Sequence, residues 1–162
     1  MRRLMKFLHT IGAIGLMGAM ACFLVILYLM PPATEIASYA AMRRAMGGIG
    51  QWVFLPSMAL TLVAGLLAIA INRGFHNAGW AWVKLISGVL VFEWGFVAIQ
   101  GPIQQEADAA AKVAAGQADA ALAATLGTNI SAQQTSLWVL LAVATVNVLL
   151  GVWRPRFTNL RD

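Results

Sequence analysis

Four polar side chains interrupt the long apolar stretches of this sequence, and their types are those that bind cofactors or move protons. They are His9, Lys84, Glu93 and Asn147. A strongly polar group inside a membrane helix is costly unless it has a partner, so by default it marks a candidate site. A neutral imidazole can ligate a metal ion, an ammonium group can pair with an anion, and a carboxylic acid can relay a proton.

The apolar stretches around these groups define the class of protein. They cover about residues 4–30, 52–71, 80–99 and 136–153, and a helix needs about 20 residues to cross the hydrocarbon core. The chain is 60% hydrophobic and 10% charged, whereas soluble domains carry about 25% charged residues. We therefore predict an all-α fold, a polytopic membrane four-helix bundle with helical outer loops, as a single membrane domain over residues 1–162.

The distribution of basic residues predicts the orientation of the bundle. Seven basic residues lie at the termini or in the second loop: Arg2, Arg3, Lys6, Arg73, Arg154, Arg156 and Arg161. Three lie in the first and third loops: Arg43, Arg44 and Lys112. Because cytoplasmic segments carry the excess of lysine and arginine, we expect both termini to be cytoplasmic in a bacterial inner membrane. The net charge of +5 then indicates contact with the lipid bilayer and not with nucleic acid.

Both loops on the other side are predicted to be helical. Thr34-Glu35 can cap a helix that runs to about Met46, where Gly47-Gly48 is expected to break it. The segment of about residues 104–125 is rich in alanine and carries spaced charges, which is typical of a helix exposed to water. It is expected either to extend the third membrane helix or to lie as a separate helix over the outer face.

Three of the four polar groups are predicted to share one leaflet. At a rise of about 1.5 Å per residue, His9, Lys84 and Asn147 each lie one to two turns from the cytoplasmic end of a different helix. Each also has a simpler interpretation. Lys84 can snorkel to the interface, Asn147 can hydrogen-bond a neighbouring helix, and His9 can be a satisfied structural histidine.

Glu93 is predicted to belong elsewhere. It follows Lys84 by nine residues, which moves it about 14 Å along the helix and turns it to the opposite face. It is therefore not a partner for Lys84. Contact with another helix is the first interpretation, with a second subunit or a proton relay as the alternatives.

Small residues accompany the histidine and the lysine. Gly12, Gly15 and Gly18 follow His9, and small residues of this kind let a neighbouring helix approach closely. They would equally leave space for a flat macrocycle, although tight helix packing is the commoner use. We expect Gly15 to lie against another helix. We expect Gly12 and Gly88, each about one turn from His9 or Lys84, to leave room for a planar ligand in a shared cavity.

Three segments resemble HemJ, the membrane-embedded protoporphyrinogen oxidase family. They read Lys-Phe-Leu-His-Thr-Ile-Gly at 6–12, Pro-Ser-Met-Ala-Leu-Thr-Leu-Val-Ala-Gly-Leu at 56–66, and Gly-Trp-Ala-Trp-Val-Lys-Leu at 79–85. The chain is also similar, more loosely, to the CopD copper-resistance membrane domain. The resemblance to HemJ implies that haem b is bound and that His9 and Lys84 are the functional pair.

The predicted function is that of a haem b-binding integral membrane protein with a redox or electron-transfer role on a porphyrin-like or quinone-like molecule. His9 would be the metal ligand, and Lys84 would pair with a haem propionate or act as a second ligand. Whether the chain is an enzyme stays open. One alternative is a non-catalytic membrane subunit that stabilises or anchors a larger complex, as a partner of another membrane protein or of its own copies. The other is copper handling, because Met17 and Met20 lie near the single cysteine, Cys22.

Overall fold

The structure is a computed structural model that describes residues 2–76 and 78–153, apart from the side chains of Arg2, Arg73 and Phe75. Arg154, Arg156 and Arg161, which contributed to the predicted orientation, lie outside the described residues. Within the described ranges the regular structure is helical: α1 (Arg2–Tyr28), α2 (Ile36–Ile49), α3 (Leu55–Ile71), α4 (Arg73–His76), α5 (Gly79–Trp94), α6 (Gly101–Ala114), α7 (Ala120–Thr125) and α8 (Ile130–Trp153). The predicted all-α bundle is confirmed.

Two membrane helices continue without a break into the segments that were predicted as loops. The π-helical turn Gly50–Phe54 joins α2 to α3, and the π-helical turn Gly95–Gln100 joins α5 to α6. The continuous helices Ile36–Ile71 and Gly79–Ala114 contain 36 residues each. The segment near 104–125 contains both predicted arrangements: the membrane helix extends to Ala114, and the separate short helix α7 follows at Ala120–Thr125.

The predicted break at Gly47-Gly48 is wrong, because α2 runs through both glycines. Tertiary packing overrides the poor helix propensity of glycine here. Gly47 is buried, and a Cβ atom added there would lie 3.5 Å from the Cβ atom of Ala107 and from Oε1 of Gln104, both on α6. Gly47 therefore lies in the contact between α2 and α6, where an added Cβ atom would make ordinary van der Waals contact.

Proline explains both π-helical turns. Pro56 and Pro102 each follow the end of a π-helical turn by two residues. A proline lacks the backbone N–H, and its ring clashes with the carbonyl group four residues earlier. Those carbonyl groups belong to Trp52 and Ala98, which lie inside the two turns. The wider π-helical turn accommodates each ring while the helix continues.

The four membrane helices follow one another around the bundle. α1 packs most extensively on α3, α3 also contacts α5, α5 contacts α8, and α8 contacts α1. The buried core lies between them and includes apolar residues from α1, α2, the two π-helical turns, α3, α5, α6 and α8: Leu16, Met20, Phe23, Met46, Phe54, Met58, Val91, Ile99, Ile103, Leu137 and Leu140. The rings of Phe23 and Phe54 are tilted with their centroids 5.6 Å apart.

Large apolar side chains cover the outside of the bundle, and tryptophan marks both edges of this band. Trp52, Trp94 and Trp138 are exposed at one edge, while Trp82 and Trp153 are exposed at the other. Tryptophan and tyrosine favour the interfaces between a membrane and water. Four helices in the described residues are long and apolar enough to cross a membrane. The protein is therefore a multi-pass α-helical membrane protein.

Three further helices form a cap on one side of the apolar band. A helix of 36 residues is about 54 Å long, whereas the hydrocarbon core is about 30 Å thick. We call α2, α6 and α7 the helical cap, and we call the opposite side, where α1 begins and α8 ends, the terminal end. Glu93 is exposed on the bundle surface beside Trp94, so the structure places it at the cap-side edge of the band and not in the predicted contact with another helix of this chain.

Candidate functional site

His9 lies half-buried between α1 and α3 at the terminal end. Its Nδ1 atom is 2.8 Å from the backbone oxygen of Thr61. A carbonyl oxygen only accepts hydrogen bonds, so Nδ1 carries the proton and Nε2 keeps its lone pair. Histidines that ligate metals through one ring nitrogen commonly donate from the other nitrogen to a carbonyl or carboxylate oxygen. In the neutral imidazole of His9, the hydrogen bond therefore leaves Nε2 as the nitrogen that can ligate a metal.

The contact between α1 and α3 depends on glycines of α1. A Cβ atom added at Gly12 would lie 2.8 Å from the backbone nitrogen of Thr61 and 2.9 Å from the backbone oxygen of Ser57. A Cβ atom added at Gly15 would lie 3.1 Å from the Cβ atom of Ser57 and would also meet its hydroxyl group. The prediction that Gly15 lies against another helix is confirmed. The space expected beside Gly12 for a planar ligand is filled by α3, so tight packing is what this glycine provides.

A glycine on α3 completes the surroundings of the imidazole. A Cβ atom added at Gly65 would lie 3.4 Å from Nδ1 and 3.5 Å from Cε1 of His9. The ring therefore lies against the backbone of α3 one turn after Thr61. This contact and the hydrogen bond restrict the ring to one orientation.

Lys84 lies half-buried on α5 at the same end of the bundle. A Cβ atom added at Gly151 would lie only 2.8 Å from Nζ of Lys84, so the ammonium group packs on α8. It is also near enough for its charge to act on the imidazole of His9. The two groups predicted as a pair thus lie at the same end of the bundle, but His9 packs on α3 and Lys84 packs on α8.

Open space lies beside the second glycine predicted to admit a ligand. No described atom of a neighbouring element lies within 4 Å of a Cβ atom added at Gly88. Gly88 is one turn from Lys84 on α5. Of the two glycines predicted to make room, Gly88 leaves space and Gly12 does not.

Asn147 links α8 to α5. Its Oδ1 atom accepts a hydrogen bond of 2.8 Å from Oγ of Ser87, and its Nδ2 atom donates one of 3.0 Å to the backbone oxygen of Val143. The interpretation of Asn147 as an interhelical hydrogen-bonding residue is confirmed. In hydrocarbon such bonds join helices because no water competes for them.

The helical cap contains a buried ion pair that sequence reasoning missed. Arg43 of α2 is fully buried, and its Nη2 atom lies 3.0 Å from Oε2 of Glu106 on α6, which is 10% exposed. Arg43 also donates from Nη1 to Oε1 of Gln133 at 2.9 Å and from Nε to the hydroxyl group of Tyr39 at 3.0 Å. Both residues had been assigned to loops, where charged groups are ordinarily solvated.

Glu106 is the centre of this network. Besides Arg43, its carboxylate accepts hydrogen bonds from the hydroxyl group of Tyr39, from Nε2 of Gln133 at 3.3 Å and from the backbone nitrogen of Gly127 at 2.8 Å. The network therefore ties α2, α6 and α8 to the turn before α8. The spacing of Tyr39, Arg43 and Met46 along one face of α2 is the sequence signal for this buried side.

The residues considered for copper do not converge. Met20 is fully buried, whereas Cys22, two residues further along α1, is exposed. Among residues 2–76 and 78–153, no group of three or more histidine, cysteine, aspartate or glutamate side chains is arranged to hold a metal ion. The candidate site for a cofactor is therefore the half-buried imidazole of His9 and its surroundings.

Comparisons of the chain with models of protein families, with characterised proteins and with solved structures gave no match. The fold and the apolar band define a multi-pass α-helical membrane protein.

Proposed function

We propose that this protein binds haem b through His9 and serves in electron transfer or redox chemistry in a bacterial inner membrane. The proposal rests on one observation above all, the hydrogen bond between Nδ1 of His9 and the carbonyl oxygen of Thr61. It leaves the lone pair of Nε2 for a metal, and an imidazole nitrogen is a common axial ligand of haem iron.

Two residues at the terminal end support the proposal. No described atom of a neighbouring element lies within 4 Å of a Cβ atom added at Gly88, so part of a macrocycle would have room on the α5 side, whereas the packed face at Gly12 offers none. Lys84, whose charge acts on His9, would pair with a haem propionate. We prefer this role to iron ligation because a lysine pairs with a propionate in its ordinary protonated form.

When bound, haem would supply a one-electron redox centre. The residues of the chain would hold it in place. His9 would be fixed by Thr61 and Gly65, and the charge of Lys84 would neutralise an acidic group inside the membrane. With both termini in the cytoplasm, as the basic residues predict, the centre would lie in the cytoplasmic half of the bilayer.

The absorption spectrum of the purified protein tests this proposal. Protein purified from haem-replete cells should show a Soret band, and the His9→Ala variant should lack it. Lys84→Ala should retain less haem through purification without necessarily losing the band, because a propionate contact does not ligate iron. Colourless wild-type protein from haem-replete cells would contradict the proposal.

The helical cap favours a second candidate, a non-catalytic membrane subunit that anchors or stabilises a larger complex. The ion pair of Arg43 and Glu106 is buried and held by hydrogen bonds from Arg43 to Gln133 and from the backbone of Gly127 to Glu106, which suits a rigid support more than a reactive group. If this candidate is correct, the protein should be colourless and should co-purify from the membrane with a stoichiometric partner after mild solubilisation. Isolation of the coloured protein without a partner would contradict it.

A further inference from the structure

Glu93 is a carboxylate on the outward face of α5, within a row of exposed apolar side chains. The row consists of Ile86, Leu90, Glu93 and Val97, which recur at helical spacing, and its three apolar members are 61%, 62% and 66% exposed. We call these four residues the Glu93 ridge. In the part of the chain that the structure describes, no group forms a hydrogen bond or an ion pair with the carboxylate. The acid group therefore lies on the apolar surface of the bundle without a described partner from its own chain.

The direction of the side chain keeps the carboxylate in the apolar band. In an α-helix each Cα–Cβ bond tilts toward the N-terminus of the helix. Because α5 begins at the terminal end of the bundle, the side chain of Glu93 leaves the helix away from the nearer interface, which is on the cap side. Exposed apolar residues continue for one more turn toward the cap, at Phe96 and Val97. Trp82, at the opposite edge, lies eleven residues back, which is about 16 Å along the helix. The short glutamate side chain therefore cannot snorkel as those of lysine and arginine do.

The surroundings of Glu93 indicate that another molecule covers it. Ionisable residues in membrane segments are rare, and those that occur pair with an opposite charge or with a hydrogen-bonding group. The basic residue of α5, Lys84, lies nine residues back and packs on Gly151 of α8. It does not supply a counter-ion to Glu93, so the counter-ion is expected from outside the chain.

Charge complementarity selects the kind of molecule that supplies the counter-ion. A second copy of the chain in the same orientation would bring another carboxylate to the same depth, and two like charges repel each other. Lipid head groups remain outside the hydrocarbon core. A cation at this depth is instead a lysine or arginine side chain of a transmembrane helix. The apolar neighbours of that cation would pack on Ile86, Leu90 and Val97.

We propose that the Glu93 ridge docks a transmembrane helix of a partner protein through an ion pair between Glu93 and a lysine or arginine of that helix. The partner's cation would lie about one turn inside the cap-side interface, level with Glu93. The inference deepens the second candidate function, and it rests on that candidate for the existence of a natural partner. The ridge itself does not depend on haem.

Association with synthetic transmembrane peptides tests the proposal. Full-length protein would be reconstituted in phosphatidylcholine vesicles with a leucine–alanine peptide that carries a dansyl group and a single lysine one turn inside an interface. Energy transfer from the tryptophans of the protein, of which Trp94 adjoins Glu93 and is 51% exposed, reports association. The lysine peptide should bind about tenfold more tightly than the same peptide with leucine at that position, the effect of one charge-assisted hydrogen bond in an apolar environment.

Variants of the protein identify the carboxylate as the contact. Glu93→Gln should lower the affinity for the lysine peptide about tenfold and leave the affinity for the leucine peptide unchanged. Glu93→Lys should reverse the preference, so that a peptide with glutamate at that position binds and the lysine peptide does not. Glu35→Gln is the matched control, because it removes the same charge from an exposed side chain that makes no capping hydrogen bond at the start of α2. It should bind both peptides as wild type does.

Four results would overturn the proposal. The first is equal affinity of wild type for the lysine and leucine peptides, and the second is an unchanged affinity for the lysine peptide in Glu93→Gln. The third is a peptide with glutamine at that position that binds as tightly as the lysine peptide, which would show hydrogen bonding without an ion pair. The fourth is a wild-type dimer that Glu93→Gln dissociates, which would show that a second copy covers the ridge.

The same measurements separate this proposal from the proposed functions. Coloured protein that does not select the lysine peptide would refute the docking surface and retain haem binding. Colourless protein that selects the lysine peptide through Glu93 would refute haem binding and retain the docking surface. Protein that leaves the membrane without a stoichiometric partner, yet selects the lysine peptide through Glu93, would contradict the subunit candidate and retain the docking surface.

Discussion

The buried ion pair of the helical cap leads to a prediction about stability. Arg43→Ala would leave the carboxylate of Glu106, which is 10% exposed, without its counter-ion, and would remove the donors to Gln133 and Tyr39. Removing one partner of a buried ion pair costs about 3–5 kcal/mol. The neighbouring arginine, Arg44, is exposed on the same helix, so Arg44→Ala is the matched control and should change the stability little.

Reversible unfolding in mixed detergent micelles, followed by circular dichroism, measures both variants. The free energy of unfolding should fall in Arg43→Ala and remain near wild type in Arg44→Ala. The double variant Arg43→Met with Glu106→Leu should recover much of the loss, because apolar residues of similar volume can replace a buried pair at little cost. Equal stability of the two single variants would refute the assignment of Arg43 to a buried position and the role given to Glu106.

Three further predictions follow from individual residues. Gly12→Ala should destabilise the bundle by about 1–3 kcal/mol through overpacking against α3, which thermal melting in detergent would show. Gly18→Ala is the control and should not destabilise it, because no described atom of a neighbouring element lies within 4 Å of a Cβ atom added there. Gly127→Ala should lower the melting temperature by straining the backbone, because φ is +80° there and an alanine in that region costs about 1 kcal/mol. Lys112→Cys in a Cys22→Ala background should react with an impermeant maleimide in intact cells, and labelling only after the membrane is breached would reverse the predicted orientation.

The sequence was sufficient for the architecture because the bilayer imposes a length on apolar helices. It was insufficient to predict where one helix continues into the next. Gly47-Gly48 has a poor local propensity for helix, but its packing on α6 overrides that propensity. The π-helical turns before Pro56 and Pro102 arise from a proline placed in a helix that tertiary contacts keep continuous, and a proline alone predicts a break as readily.

The depth of the candidate site residues in the membrane could be predicted from the sequence, but the groups that they contact could not. A fixed rise per residue placed His9, Lys84 and Asn147 at one end of the bundle. The partner of His9 is a backbone carbonyl group, at Thr61, and a backbone group leaves no signature in the sequence. The partner of Arg43 lies on another helix, Glu106 of α6, and the charged residue types alone indicated two helical segments exposed to water.

The ratio of haem to protein tests the central claim most directly. It would be measured by pyridine haemochrome analysis of wild type, His9→Ala and His76→Ala, purified in parallel. His76 is the other histidine of the chain, is exposed, and has Nε2 within 3.0 Å of the backbone oxygen of Ile69, so its loss controls for the loss of an imidazole as such. The account predicts about one haem b per chain in wild type and in His76→Ala, as one axial histidine requires, and none in His9→Ala. Wild type without haem, or haem retained in full by His9→Ala, would contradict it.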